Sequence, residues 1–485
     1  MITGLLILFP FLAMLALWLT KDARVARRNA LIGAWLQLPV AIAAICLFQC
    51  NGFREIIYAV EWIPSMGVSF NLALDGLSLL LVLLTAVLIP VIVSFVPVQN
   101  TSSPRKFYAL IFMAQMAMTG VFLVRDGLMF YIFWELALIP LYFITALWGG
   151  ENRIRITFKF FIYTMAGSLL MLVALIYLYL QTPYPHSFDF GALYSVALST
   201  QQQIWVFLAF FVAFAIKIPV FPLHTWQPDT YTTAPYAGSM ILSGIMLKMG
   251  IYGIIRFITP LFIGTININL EQTVLILALV GLLYASVIAI RQDDLKRFVA
   301  YVSLAHVALI TMGAIIGNNF ALQGAGIQMF SHGINVVGLF IIVQIIEEKT
   351  NTRKISQLGG LAKKMPLLAV LFMIILLGSI GLPLTNGFVG EYLLLYGIYQ
   401  DNVWMAAFAG LTIIFGAVYM FKMFQHVMLG DKKYAAELTD IGTREATVLI
   451  PLCLLVILIG VYPKPLIDMI QPTIDNILNV ITIAH

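Results

Sequence analysis

Charge is scarce in this sequence: Asp, Glu, Lys and Arg make up only 10% of its 485 residues, against about 25% in soluble domains. That shortage excludes a soluble fold. Cysteine is nearly absent as well, with Cys46 and Cys50 on one helix face and Cys453 far away. No CxxC or Cys/His set accompanies them, so they read as apolar fillers and not as a disulfide framework or metal site. No GxGxxG or Walker loop is found, and no bound nucleotide is expected. Low-complexity tracts are missing, and no linker is long enough for a separate globular domain. The net charge of +5 is dispersed over short loops, which argues against a nucleic-acid partner. A cleavable leader is not expected, because the basic cluster "KDARVARR" follows the first apolar run instead of preceding it.

What the chain does have is hydrocarbon, with 61% of its residues hydrophobic. Apolar segments of about twenty residues, enough to cross a core of about 30 Å, recur from end to end. They predict an all-α polytopic membrane protein of about 14 spans, beginning near residues 2, 30, 73, 107, 128, 158, 204, 236, 271, 299, 321, 367, 402 and 447. The basic residues check this count. With each loop numbered by the span it follows, odd loops hold Lys21, Arg24, Arg27, Arg28, Arg105, Lys106, Arg153, Arg155 and Lys159. They also hold Arg291, Lys296, Arg297, Lys349, Arg353, Lys354, Lys363, Lys364, Lys432, Lys433 and Arg444. Even loops and the tail hold only Arg54, Arg125, Arg256 and Lys464. The positive-inside rule then puts the odd loops in the cytoplasm and both termini outside. A miscounted span would have scrambled the alternation.

Three basic residues remain. Lys422 is near enough to the end of span thirteen to snorkel, but Lys217 and Lys248 are not. At 1.5 Å per residue, Lys248 lies about 12 Å from Arg256, Glu135 about 14 Å from Asp126, and Glu391 about 15 Å from Asp401. Half of the hydrocarbon core is about 15 Å. His306 and His332 fall at similar depth. If the spans pack together, Glu135, Lys217, Lys248, His306, His332 and Glu391 form one central layer. A lone charge there costs about 3 kcal/mol even on the lenient insertion scale. Acids, amines and imidazoles gathered at one depth are the ingredients of a proton relay. The plainer alternative makes Glu135 a structural ion-pair partner and the histidines satisfied core residues. Two lysines, however, need two counter-ions, and only Glu135 and Glu391 lie at that depth. A poorly compensated lysine can exchange protons, whereas a fully paired one cannot.

Two spans are expected to be broken. Pro219 and Pro222 follow Lys217 in span seven, and Gly381, Pro383 and Gly387 precede Glu391 in span twelve. Proline removes a backbone donor and clashes with the preceding turn. Broken helices in corresponding positions point to inverted repeats of the transporter kind. The expected division is a three-helix segment (1–106), a first inverted repeat of spans four to eight (107–260), a second of spans nine to thirteen (261–430), and a last helix with its tail (431–485). His224 and Asp229 in "PLHTWQPDTYTTAP" lack a third ligand nearby, so that loop is expected to close the broken helix and not to hold a metal. Asp75 is expected at a membrane boundary as an N-cap.

With those residues in view, the sequence resembles the antiporter-like membrane subunits of respiratory complex I. The phrases "FWELALIPLYFI", "KIPVFPLHTWQPD", "AGSMILSGIMLKMG", "RFVAYVSLAH" and "GLPLTNGFVGEY" carry the match from span four through span thirteen. The M-type branch has glutamate at position 391, where the L- and N-type branches and the related sodium/proton antiporter subunits typically have lysine. The L-type branch also has a long lateral helix that is not seen after span fourteen. The resemblance implies that Glu135, Lys217, Lys248, His306, His332 and Glu391 relay protons from cytoplasm to exterior in a proton-translocating NADH:quinone oxidoreductase. It implies that NADH, flavin, iron–sulfur clusters and quinone sit on partner subunits, with no cofactor or redox site on this chain. It further implies a bacterial inner membrane and flanking L- and N-type neighbours. A subunit of a sodium/proton antiporter is the alternative of the same fold. One departure is Tyr231, where the family often has a second loop histidine.

Overall fold

The structure, a computed structural model, describes residues 1–96, 103–431 and 438–483. Lys432 and Lys433, assigned above to the last odd loop, lie outside the described residues. The chain opens with α1 (Ile2–Leu19), α2 (Ala23–Cys50) and a hairpin of β1 (Ile56–Ile63) and β2 (Val68–Leu74). Next come α3 (Gly76–Phe95), α4 (Pro104–Leu123), α5 (Gly127–Trp148), α6 (Arg153–Gln181), the short α7 (Phe190–Tyr194), α8 (Thr200–Lys217) and α9 (Trp226–Thr233). The second half holds α10 (Tyr236–Phe262), α11 (Ile268–Arg291), α12 (Leu295–Ile316) and α13 (Asn319–Thr350). It continues through α14 (Pro366–Ile380), α15 (Asn386–Asp401), α16 (Val403–Met428), α17 (Thr443–Val461) and α18 (Lys464–Ile483). Among the described residues, 13 helices are long and apolar enough to cross a membrane. The remaining expected span is split between α14 and α15.

Acids near the helix starts explain where the spans begin. Asp22 accepts hydrogen bonds from the Arg24 and Val25 amides at 2.7 and 3.1 Å. Asp126 accepts from Leu128 and Met129 at 2.9 and 3.0 Å, and Asp294 from Arg297 at 2.9 Å. Such caps satisfy amides that the first helical turn leaves unpaired. These carboxylates therefore mark membrane boundaries and do not belong to the central layer.

Both expected breaks are present. Helix α8 stops at Lys217, and the chain turns through residues 218–225 before α9 begins. The indole N–H of Trp226 donates to the Ile216 carbonyl at 2.9 Å, satisfying one group freed by the break. Helix α14 ends at Gly381, whose φ of +74 suits a residue without a side chain. Pro383 keeps the helix from resuming until Asn386.

Packing is uneven across the bundle. The most apolar stretches of α10, α12 and α13 are wholly buried, whereas those of α1, α2 and α16 are only about a quarter buried, as suits lipid-facing helices. The three wholly buried helices are the ones that carry Lys248, His306 and His332. Helix α15 brings Glu391 against α13 at close range. A β-carbon on Gly324 would fall 2.5 Å from the Leu394 amide nitrogen, so the two backbones meet there.

Two elements lie beyond the sequence expectation. The antiparallel hairpin pairs Ile56 with Leu74 and Ile63 with Val68, and the Arg125 amide donates to Asn71 of β2 at 2.9 Å. After α17, α18 buries Met469, Ile470, Ile474 and Ile477 against the bundle while Asp468, Asp475 and Asn476 stay exposed. Apolar residues at that spacing make an amphipathic helix. Some boundaries also move. Helix α2 starts at Ala23 and α12 at Leu295, so Lys296, expected in a loop, is a helical residue.

Candidate functional site

Lys217 ends α8 because the two prolines forbid another turn. Lys217 is only 2% exposed, and its ammonium sits 4.8 Å from the centroid of the Trp134 ring. A ring face attracts a cation by up to about 2 kcal/mol when both are dry. Glu135, the next residue on α5, is half-buried and within electrostatic reach of Lys217. Among the described residues no direct ion pair joins them. The acid thus acts on the amine across a gap.

Lys248 is placed differently. Its helix, α10, carries a π turn over Leu242–Met246, in which the Leu247 amide bonds to the Leu242 carbonyl five residues back. Such bulges disturb the regular ladder and occur often at functional sites. The Ser243 carbonyl accepts from the Lys248 ammonium at 2.6 Å, and His332 Nδ1 lies 2.8 Å from the same nitrogen. The rings of His332 and His306 are 6.0 Å apart, and His306 Nδ1 lies 3.1 Å from Glu391 Oε1. The Gln328 amide donates to the same carboxylate oxygen at 3.3 Å. Its other oxygen packs on Gly381, where a β-carbon would come within 2.3 Å of it.

Between the two imidazoles lies a small cavity with room for about one water molecule, lined by Ser303, His306, Gln328, His332, Asn335 and Ser379 among others. Five buried polar atoms of these residues have no protein partner: Ser303 Oγ, His306 Nε2, Gln328 Oε1, His332 Nε2 and Asn335 Oδ1. Buried polar atoms are almost always satisfied by protein or water. A polar pocket with several converging groups is where buried water belongs.

The structure therefore joins Lys248, His332, His306 and Glu391 into one polar row. Lys217 and Glu135 stand apart from it as a second group. Sequence reasoning missed Ser303, Gln328 and Asn335, and read Gly381 only as a helix breaker and not as a contact of Glu391. Helical spacing held the signal for the first three, because Ser303 lies one turn before His306 while Gln328 and Asn335 flank His332 by one turn. Asp229 of α9 is engaged by Lys159 at 3.1 Å and Arg297 at 3.2 Å, and His224, in the loop after α8, packs on Phe221 and Tyr284. Lys422 reaches the Ile290 carbonyl at 3.1 Å on the exposed side of α16.

Asp75 is more than a cap. It accepts from the Ser78 amide at 2.9 Å, from Arg125 at 2.8 Å and from Arg256, which is itself buried. Burial alone would push its carboxyl up, but Arg256 and Arg125 outweigh that and hold it at about 2. Helix α18 closes over this cluster, and its Thr473 hydroxyl accepts from the Gly76 amide at 2.9 Å.

Comparison with known proteins extends these observations. The family described as NADH:quinone oxidoreductase/Mrp antiporter, transmembrane, matches residues 125–416. NADH-quinone oxidoreductase subunit M of Rhodobacter capsulatus is 37% identical, covering 96% of this chain and 93% of that protein. F(420)H(2) dehydrogenase subunit M of Methanosarcina mazei is 36% identical, covering 96% of each. A chain of respiratory complex I from Thermus thermophilus superposes with a TM-score of 0.91 at 29% identity, covering 99% of this chain and all of that one.

Proposed function

Because the chain belongs to the NADH:quinone oxidoreductase/Mrp antiporter transmembrane family, we propose that it is a proton-translocating membrane subunit driven by redox chemistry elsewhere in its complex. The observation that carries this reading is the row from Lys248 through His332 and His306 to Glu391, completed by a cavity rimmed with unpaired polar atoms. Each member can hold or pass a proton, and water in the cavity bridges the two rings. Relatives named for two different electron donors, NADH and F(420)H(2), match this chain over the same share of its length. That fits donor chemistry on other subunits and no redox centre here.

In this scheme the face with the basic odd loops is cytoplasmic, both termini are external, and the membrane is a bacterial inner membrane. Residues 107–260 and 261–430 act as the two inverted halves, and L- and N-type subunits flank the chain. Glu135 and Lys217 are the drive. When the carboxylate is close, Lys217 keeps its proton; when it withdraws, the lysine of the broken helix surrenders it toward Lys248. The row then carries the proton to Glu391, the last site before release. The test is the assembled complex in proteoliposomes with Glu135→Ala or Lys217→Ala. Protons moved per electron should fall at least tenfold in each. Normal pumping by either variant overturns the reading.

A further inference from the structure

One buried amine has no part in the scheme above. Lys296 is the second residue of α12, near enough to the rim to snorkel, yet it turns inward and is only 3% exposed. Its ammonium donates to the Ala234 carbonyl and lies 4.3 Å from the centroid of the Tyr236 ring. Tyr236 donates its hydroxyl to Glu347 of α13. Asp294 caps α12 and pairs with Arg353, so Glu347, Asp294 and Arg353 are the charges that act on Lys296.

From Ala234 inward, one face of α10 is polar in an otherwise apolar helix. The Ser239 hydroxyl donates to the Tyr231 carbonyl at 2.7 Å and reaches the Ala234 carbonyl at 3.5 Å. The Ser243 hydroxyl donates to the Ser239 carbonyl at 2.7 Å, and Lys248 donates to the Ser243 carbonyl at 2.6 Å. The two serines are about 6 Å apart along the axis, and both are fully buried. Serines that bond back to their own helix are ordinary. A buried lysine at each end of such a column, each donating to a backbone carbonyl on it, is not.

We propose that Lys296 is the proton-loading residue of this chain, feeding Lys248 along the Ser239–Ser243 face of α10. This rests on the proton-relay reading above. Lys296 releases one proton to water at the Ser239 hydroxyl. Water and the two hydroxyls each accept one proton and pass one on, and the neutral Lys248 amine receives it. The Lys296 amine is recharged by a proton from water on the basic-loop side, gathered by Glu347. Tyr236 and Glu347 are positioning residues that hold Lys296 turned inward.

The experiment compares Lys296→Ala, Lys296→Arg, the double variant Ser239→Ala with Ser243→Ala, and Lys217→Ala, all in the assembled complex in proteoliposomes. Arginine keeps the cation and its donors but cannot give up a proton, so a structural cation is rescued by it and a carrier is not. Pumping per electron should fall at least tenfold in both Lys296 variants and severalfold in the serine pair, with an enlarged solvent deuterium effect. If Lys296→Ala does not assemble, the arginine and serine variants decide. Normal pumping by Lys296→Arg overturns the proposal while Lys217→Ala remains defective. Normal pumping in all four overturns the relay reading itself.

Discussion

Gly381→Ala tests the site without touching an ionisable group. Gly381 has φ +74, a conformation that costs an L-residue about 1–2 kcal/mol. That strain falls on the break between α14 and α15. The new β-carbon would also stand 2.3 Å from Glu391 Oε2, so the carboxylate must swing away. Its contact with His306 Nδ1 at 3.1 Å is then lost, and a hydrogen bond to a charged group contributes about 1.5–3 kcal/mol. At 1.36 kcal/mol per factor of ten, the contact becomes roughly ten- to a hundredfold rarer. Proton pumping by the assembled complex should fall by a similar factor, read as acidification of proteoliposomes per NADH oxidised. Gly410→Ala is the matched control, because nothing lies within 4 Å of its β-carbon position. The reasoning is refuted if Gly381→Ala assembles and pumps like the parent.

Three further outcomes follow from the geometry. Asp75→Asn deprives buried Arg256 of its counter-ion and should destabilise the subunit by about 3 kcal/mol, seen as earlier thermal inactivation. The native Asp75 carboxyl sits at about 2, below the ordinary 3.8, so its stabilisation is complete above pH of about 4 and fades as pH falls toward 2; the deficit should therefore be the same at pH 6 and pH 8. Asp126→Ala removes the acceptor for the Leu128, Met129 and Ser69 amides and should cost about 1–2 kcal/mol, measured by the same inactivation assay. Ser303→Ala replaces one polar wall of the cavity with a methyl group and should slow pumping while leaving thermal stability nearly unchanged.

Much of this was legible in the sequence because the bilayer imposes a length and a polarity. Twenty-residue apolar runs set the spans, Pro219 and Pro383 set the breaks, and the cost of charge in hydrocarbon singled out the six central residues. The rest needed direction as well as depth. Counting residues from a helix end places Lys248 at the midplane, but not its bond to a carbonyl freed by a π turn. The same counting left Lys296 at the rim and could not say that it folds inward under Tyr236. The hairpin and α18 escaped for another reason. Each is too short or too amphipathic to fill a spanning window, and its apolar face is defined only by the bundle it rests on. Counting puts Lys217 and Glu135 at similar depth, but their separation without contact is a matter of side-chain direction across two helices.

The two imidazoles have a consequence for how often the row can fire. Both rings present Nδ1 to a fixed partner, Lys248 or Glu391, and both leave Nε2 without a protein partner beside the cavity they line. A neutral imidazole holds hydrogen on only one of its nitrogens. An ion that enters a ring on one side and leaves from the other therefore exchanges which nitrogen is bare. After a single passage both rings are left in the opposite tautomer, and the next ion meets a nitrogen already occupied. The row must be rewound before it can carry again, so its design favours discrete strokes over a steady leak.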